Sequence, residues 1–234
     1  INKVAKIKEN NIYVEWKKPE VVNNLTTLTA EALIRPHSFD HNISTLMGIE
    51  GKFLFRFGDD GVPANHLQIA GTSSATNIHI NRDVPLEKWI HIAITYNATE
   101  KNLKAYYDGE LVTDHTMNLG PINWGVPHSN EENGKPRCFW IGRSYNDERW
   151  LDADIAEIRI WNRVLSEEEI NAKDHAYEVD PASDGLVAYW RLNDGINELK
   201  DHTTNGNNAT PTTSLKWVEV ALPTQSNNNI LQTK

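Results

Sequence analysis

Cysteine is nearly missing from this chain. Its 234 residues include one, Cys138, so no intramolecular disulfide can form. Set just before Phe139, Trp140 and Ile141, that thiol reads as a buried structural group, and a lone cysteine leaves the redox compartment undecided. Long apolar runs are absent as well: no stretch of about 18 apolar residues occurs, which excludes a membrane-spanning helix from this segment. Basic charge is in deficit, with 23 Lys and Arg against 32 Asp and Glu, a formal net charge of −9 at pH 7 and a pI near 5.5. Phosphate recognition needs a basic stripe and none is present, so nucleic acid is excluded as a partner. The sequence also lacks a Gly-x-Ser-x-Gly elbow, a phosphate-binding loop and a dinucleotide glycine motif. The nine His are scattered. His37 and His41 lie four apart on a loop-like stretch beside Pro36, where helical metal spacing does not apply.

What the chain does have is β patterning. Eight Trp, seven Tyr and five Phe supply a sandwich core, and the length suffices to bury one. The organising stretch is ADIAEIRIWNRVLSEEEI, residues 153–170. Ala156, Ile158 and Ile160 alternate with Glu157, Arg159 and Trp161, the period of a strand with one face in the core. Ser166 and Glu169 then form a capping box that opens a short helix, with Glu167 and Glu168 in the first turn, where the helix dipole favours negative charge.

Upstream, residues 1–11 read as a polar, basic lead-in and Ile12 to Trp16 as a short strand. A strand from Leu25 to Arg35 is expected to stop at Pro36, which cannot donate to a ladder. Turn clusters at 48–51 and 58–61 bracket FLFRF, in which Phe53, Phe55 and Phe57 share a face. Short strands follow at 67–70 and 77–80. Trp89 to Tyr96 alternates cleanly, and after a polar turn the strand Leu103 to Tyr107 reaches Asp108-Gly109, a favoured hairpin turn. Residues 114–137 form a long loop rich in Gly and Pro, and a segment of that kind in a compact domain is usually functional, disordered or a misread element. A strand at 138–142 and the polar loop SYNDERW, 144–150, precede the organising stretch. Beyond the helix, strands are expected at 184–192 and 216–220, with an Asn-rich turn at 201–210 between them.

The block WIHIAITYNATEKNLKAYYDGELV closely resembles the laminin-G signature W-x-H-x-A-x-x-Y…L-x-x-Y-x-D-G. AEIRIWNRVLSEEEI is similar to the closing phrase of the same laminin-G-like, concanavalin A-like, pentraxin-related domains. The resemblance covers about residues 12–175 and implies an all-β fold, a two-sheet antiparallel jelly-roll sandwich with one short helix after the closing strand. DGLVAYWRLNDG…KDHTTNGNNAT resembles the opening of many such domains yet stands at the end. It reads as a C-terminal extension, 184–222, of the type found in Bacteroidetes surface proteins, which adds strands to a single sandwich spanning 1–222. Residues 223–234 read as a polar tail.

Three constellations carry chemistry. Trp124 sits in GPINWGVP, and Tyr145, Asn146, Asp147, Arg149 and Trp150 sit in the loop before the closing strand. Flat rings offer faces to sugar C–H groups while Asn, Asp and Arg hydrogen-bond hydroxyls. The alternative is that each ring caps the core beneath its own loop. Asp201, Asn205 and Asn207 form an oxygen-rich cluster suited to Ca2+, the alternative being an ordinary Asn-Gly turn. The resembled domains often hold calcium through an Asp on the closing strand, a position occupied here by Ala156. Asp152, Asp154 and Glu157 imitate the carboxylate row of family-16 glycanases. Retaining hydrolysis needs two carboxylates about 5 to 5.5 Å apart, and this spacing puts Glu157 on the face opposite Asp154 unless a bulge intervenes. The expectation is therefore a non-catalytic, secreted or cell-surface module that binds a polysaccharide or other glycan. A structural or adhesive module contacting a surface protein and a glycoside hydrolase are the alternatives on the same fold.

Overall fold

The structure is a computed structural model that describes residues 2–10, 12–132, 135–144 and 148–222. Its strands in chain order are β1 (Asn2–Ile7), β2 (Ile12–Val14), β3 (Thr27–Ser38), β4 (Ser44–Ile49), β5 (Phe53–Asp59), β6 (Val62–Ala70), β7 (Ile78–His79), β8 (Ile90–Asn97) and β9 (Asn102–Tyr107). They continue with β10 (Glu110–Thr116), β11 (His128–Glu132), β12 (Lys135–Arg137), β13 (Trp140–Ile141), β14 (Asp152–Trp161), β15 (Leu186–Trp190), β16 (Ala209–Pro211) and β17 (Lys216–Val220). The helix α1 covers Glu167–Ile170. Sheet I runs β10-β9-β8-β3-β14-β1-β17, with β15 also paired to β14, and sheet II runs β16-β2-β13-β4-β5-β6-β7. The pairings are antiparallel, as expected of an all-β jelly roll. Between the sheets lies one apolar cluster, to which Phe53, Phe55 and Phe57 contribute from β5, Ile92 and Ile94 from β8, and Ile158 and Ile160 from β14.

The organising strand departs from strict alternation. Glu157 has φ +54° and the β14–β3 register shifts between Ala156 and Arg159. This bulge puts an extra residue into β14 and inverts the side-chain phase. Ala153 and Ile155 face the core before it, Ile158 and Ile160 after it. Ala156 lands instead on the outer face of sheet I with Leu33 and Trp89, so it does not share the face of Ile158 as its spacing implied.

That outer face is covered as well. Trp161, Leu165, Ile170, Leu186 and Tyr189 cluster there with Ala93 and Tyr106, so α1 packs on a face of the sheet. The capping box forms as read: Glu169 N donates to Ser166 Oγ at 3.1 Å and Ser166 N to Glu169 Oε1 at 3.2 Å.

Three further boundaries moved. The basic lead-in contains β1, an interior strand between β14 and β17. Its Ala5 and Ile7 reach the core while Val4 joins the outer cluster, and the intervening Lys residues hid that pattern. Pro36 does not end β3. It lies past the last β8 pairing, Ile34↔Ile90, and at a register shift against β14, where its missing N–H breaks no regular ladder. The 114–137 segment is not wholly loop, since β11 and β12 pair as a hairpin within it. At the chain's other end β15 pairs with β14, β16 with β2 and β17 with β1.

Candidate functional site

Because Phe53, Phe55 and Phe57 point into the core, Leu54 and Arg56 must point out of sheet II. The same parity turns Tyr13, Trp140, His66, Gln68 and His79 outward. Register then arranges them in rows. Tyr13, Trp140, Gly48 and Leu54 are successive cross-strand neighbours, and Arg56, Gln68 and His79 form the next row. Gly48 belongs to this surface for a steric reason: at φ +121° a Cβ there would lie 2.3 Å from the Phe53 carbonyl oxygen.

Glu50, just past β4, gathers the polar part of this face. Its Oε1 accepts from Arg56 Nη1 and Arg149 Nη1, each at 3.1 Å, and its Oε2 accepts from Ser144 Oγ at 3.2 Å. Arg56 also donates from Nε to Gln68 Oε1 at 2.9 Å and from Nη2 to Asp59 at 3.0 Å. Beside this array the Arg143 guanidinium lies 4.3 Å from the Trp140 ring centre, and Tyr13 packs against Trp140 at 5.0 Å. Arg56, Gln68 and Trp140 are themselves buried, so the strip presents the half-buried Tyr13, Glu50 and Arg149 to solvent over a fixed polar layer.

The expected loop residues divide. Arg149 reaches the array directly, its backbone held at φ +57° and its carbonyl accepting Thr45 N at 2.7 Å. Trp150 is half-buried at the rim, stacked on His41 with ring centres 4.1 Å apart and planes 12° from parallel. Tyr145, Asn146 and Asp147 lie outside the described residues. Trp124 is not a surface platform: it is 1 % exposed, stacks on Phe53 and donates from Nε1 to the Phe53 carbonyl at 3.0 Å. Its loop folds inward because Trp124 N bonds Val22 O and Gly125 N bonds Asn23 Oδ1. The ring is core, the alternative reading of that motif. The sequence reading missed Glu50, Arg56 and Gln68, although Arg56 was signalled as the charged residue between inward phenylalanines.

The oxygen cluster is built for the wrong sign of charge. Asp201 is 2 % exposed, and its carboxylate accepts from Tyr189 N, Thr203 N, Thr203 Oγ and Asn207 N at 2.9 to 3.1 Å. Asn207 Oδ1 accepts Lys18 N at 2.8 Å, and Asn205 Nδ2 donates to Val187 O. Donor hydrogens surround the oxygens that a Ca2+ ion would need, so the residues do not fit that ion. The cluster pins the 201–207 turn against β15 and the segment after β2.

The bulge does bring Asp154 and Glu157 to one face, where each already has partners. Asp154 accepts from Arg35 Nη2 at 2.7 Å and contacts His37 Nε2 at 2.9 Å. Although burial pushes its carboxyl upward, those two partners hold it below its usual range. Glu157 is fully buried against Arg159 and Tyr189, and burial raises its carboxyl despite the nearby guanidinium. Sealed beneath these side chains, Glu157 is out of a substrate's reach.

Deeper in the same face lies a hub on Glu31. Its Oε2 accepts from Trp161 Nε1 at 2.8 Å and faces Arg159 Nη1 at 3.4 Å, while its Oε1 faces His175 Nε2 and His91 Nε2 at 2.5 and 3.0 Å. Burial opposes the Glu31 charge, yet Arg159 and His175 hold this carboxyl well below its usual range. Among the described residues, Glu31, His91 and His175 bring potential metal-ligand atoms within 4.8 Å of one another. The Arg159 cation already occupies the charge-compensating position, so the hub reads as a neutralised structural anion.

Comparison with known proteins agrees with this architecture. Residues 8–171 match a laminin-G-type family model described as the concanavalin A-like lectin/glucanases superfamily. Pentraxin-related protein PTX3 of Mus musculus is 27% identical over 126 residues, 51% of this chain and 30% of that protein. A proposed carbohydrate-binding protein of Bacteroides ovatus superposes with a TM-score of 0.78 at 26% identity, covering 95% of this chain and 61% of that one. The binding domain of botulinum neurotoxin DC, solved with rat synaptotagmin II, shares the fold at TM-score 0.50 and 16% identity, over 72% of this chain and 41% of that one. The chain therefore spans under two thirds of each of these proteins. Among the described residues no helix is long and apolar enough to cross a membrane.

Proposed function

The chain belongs to the concanavalin A-like lectin/glucanases superfamily, and from that premise we propose that it is a non-catalytic extracellular module binding a glycan across the outer face of sheet II. The observation that carries this reading is the convergence of Arg56, from the sheet, and Arg149, from the rim loop, on the one carboxylate of Glu50. Sugar hydroxyls are recognised by planar side chains that both donate and accept, beside a ring that takes the C–H face. Here Gln68, Glu50 and the two guanidinium groups are held by one another, so ligand binding loses little additional side-chain freedom. Tyr13, half-buried on the sheet, and Trp150 at the rim supply the rings, while Trp140 is buried beneath Tyr13 and Arg143. The description of the Bacteroides ovatus protein as carbohydrate-binding supports the same ligand class. Burial of Glu157 argues against hydrolysis.

The test is a glycan array and affinity electrophoresis on a polysaccharide panel, followed by calorimetry on the best ligand. Arg149→Ala and Tyr13→Ala are each expected to weaken binding by about tenfold, about 1.4 kcal/mol, while the melting temperature moves little. Unchanged affinity in both variants would refute this face as the site. No retention on any glycan, together with direct binding to a purified cell-surface protein, would replace the glycan reading with a protein-binding one.

A further inference from the structure

At the far end of the same sheet two imidazoles meet. His66 Nδ1, on β6, and His79 Nε2, on β7, are 2.9 Å apart, and His66 Nε2 lies 2.6 Å from Asp83 Oδ1. Only one hydrogen can sit between the two ring nitrogens. The Asp83 carboxylate settles the tautomer of His66, because it requires the N–H at Nε2 and leaves the Nδ1 lone pair aimed at His79. A carboxylate behind one imidazole nitrogen with the lone pair of the other facing forward is the arrangement that orients histidine metal ligands. Zn–N bonds of about 2.0 to 2.1 Å place two ligand nitrogens about 2.9 Å apart at a right angle and about 3.4 Å apart at the tetrahedral angle. The observed separation falls at the near end of that interval. His79 is exposed and borders a groove of about 510 Å³ that His115 also lines, leaving room for water to complete the coordination. The chain's net charge of −9 also draws cations.

We propose that His66 and His79 form a binding site for a borderline divalent transition ion such as Zn2+, with Asp83 as the positioning residue behind His66. Two imidazoles without protein oxygen ligands select such an ion over Ca2+ or Mg2+. The site shares the outer face of sheet II with the proposed glycan strip but is argued from different residues, and its test uses no sugar. Calorimetric titration of the full chain with ZnCl2 is expected to show one ion per chain, unaffected by excess CaCl2. His79→Gln, an exposed change that leaves the fold intact, is expected to weaken binding at least tenfold, and Asp83→Asn about 10- to 100-fold. In imidazole NMR spectra, the His66 and His79 resonances should shift on zinc addition. Absence of binding at millimolar zinc, affinity unchanged by His79→Gln and Asp83→Asn, or loss on His115→Ala with His79→Gln silent would each overturn the proposal.

Discussion

Replacing Arg159 with methionine tests the account of the covered face of sheet I. Arg159 is 0 % exposed and donates to Glu157 Oε1 at 2.5 Å and to the His175 carbonyl at 2.6 Å, while facing Glu31 Oε2 at 3.4 Å. Methionine fills much of the same volume, so the perturbation is mainly electrostatic: two buried carboxylates lose their shared cation. Removing one partner of a buried ion pair costs about 3 to 5 kcal/mol. At about 2 to 4 °C per kcal/mol for a chain of this size, the melting temperature should fall by about 6 to 20 °C. The loss should also depend on pH. The folded Glu157 pKa is already raised, and without Arg159 it rises further. A raised carboxyl leaves stability intact below its unfolded value of about 4.5 and removes it as pH climbs through the folded value. The deficit should therefore be smaller at pH 5 than at pH 8. Urea unfolding followed by tryptophan fluorescence at both pH values measures it. Adding Glu157→Gln to Arg159→Met should cost less than the sum of the two single changes. A deficit below about 1 kcal/mol, or one equal at the two pH values, would refute the reasoning.

Two further outcomes follow from the geometry. Trp124→Ala should destabilise by about 3 to 5 kcal/mol, as loss of a large buried ring does, and should show reduced stability in denaturant before any effect on a ligand can be read; a near-wild-type urea midpoint would contradict its place in the core. His37 lies between Asp154 and Glu87, and its hydrogen bond to Asp154, the largest influence, raises its pKa above the usual 6.5 against the opposing effect of burial. Its stabilising contribution is complete below that usual value and is lost as pH rises through the raised one. In an NMR titration the His37 midpoint should stand above 6.5 in the native chain and drop in Asp154→Asn, and an unmoved midpoint would count against the pair.

Much of the fold could be read locally. The alternation over 89–96, the Asp108-Gly109 turn and the Ser166/Glu169 box depend on neighbours a few residues away, and each formed where the sequence placed it. Arg149 and Trp150 were also legible as rim residues, because a polar loop between two strands has to surface. The Trp124 loop is equally polar, yet hydrogen bonds from Trp124 N to Val22 and from Gly125 N to Asn23, about a hundred residues away, turn its ring inward. The same limit explains Asp201: its composition suits a cation, but four donors supplied by the surrounding backbone and Thr203 fix its polarity the other way.

The sequence by itself determined the strand periods, the turns and the helix cap, since these rest on steric and hydrogen-bonding preferences of adjacent residues. Tertiary structure decided which face of each strand became a surface. A single bulge at Glu157 exchanged the faces of β14 midway, and the segment after α1 covered one side of sheet I while sheet II kept its polar strip. Burial is a property of what packs above a residue, and whatever packs there comes from distant parts of the chain.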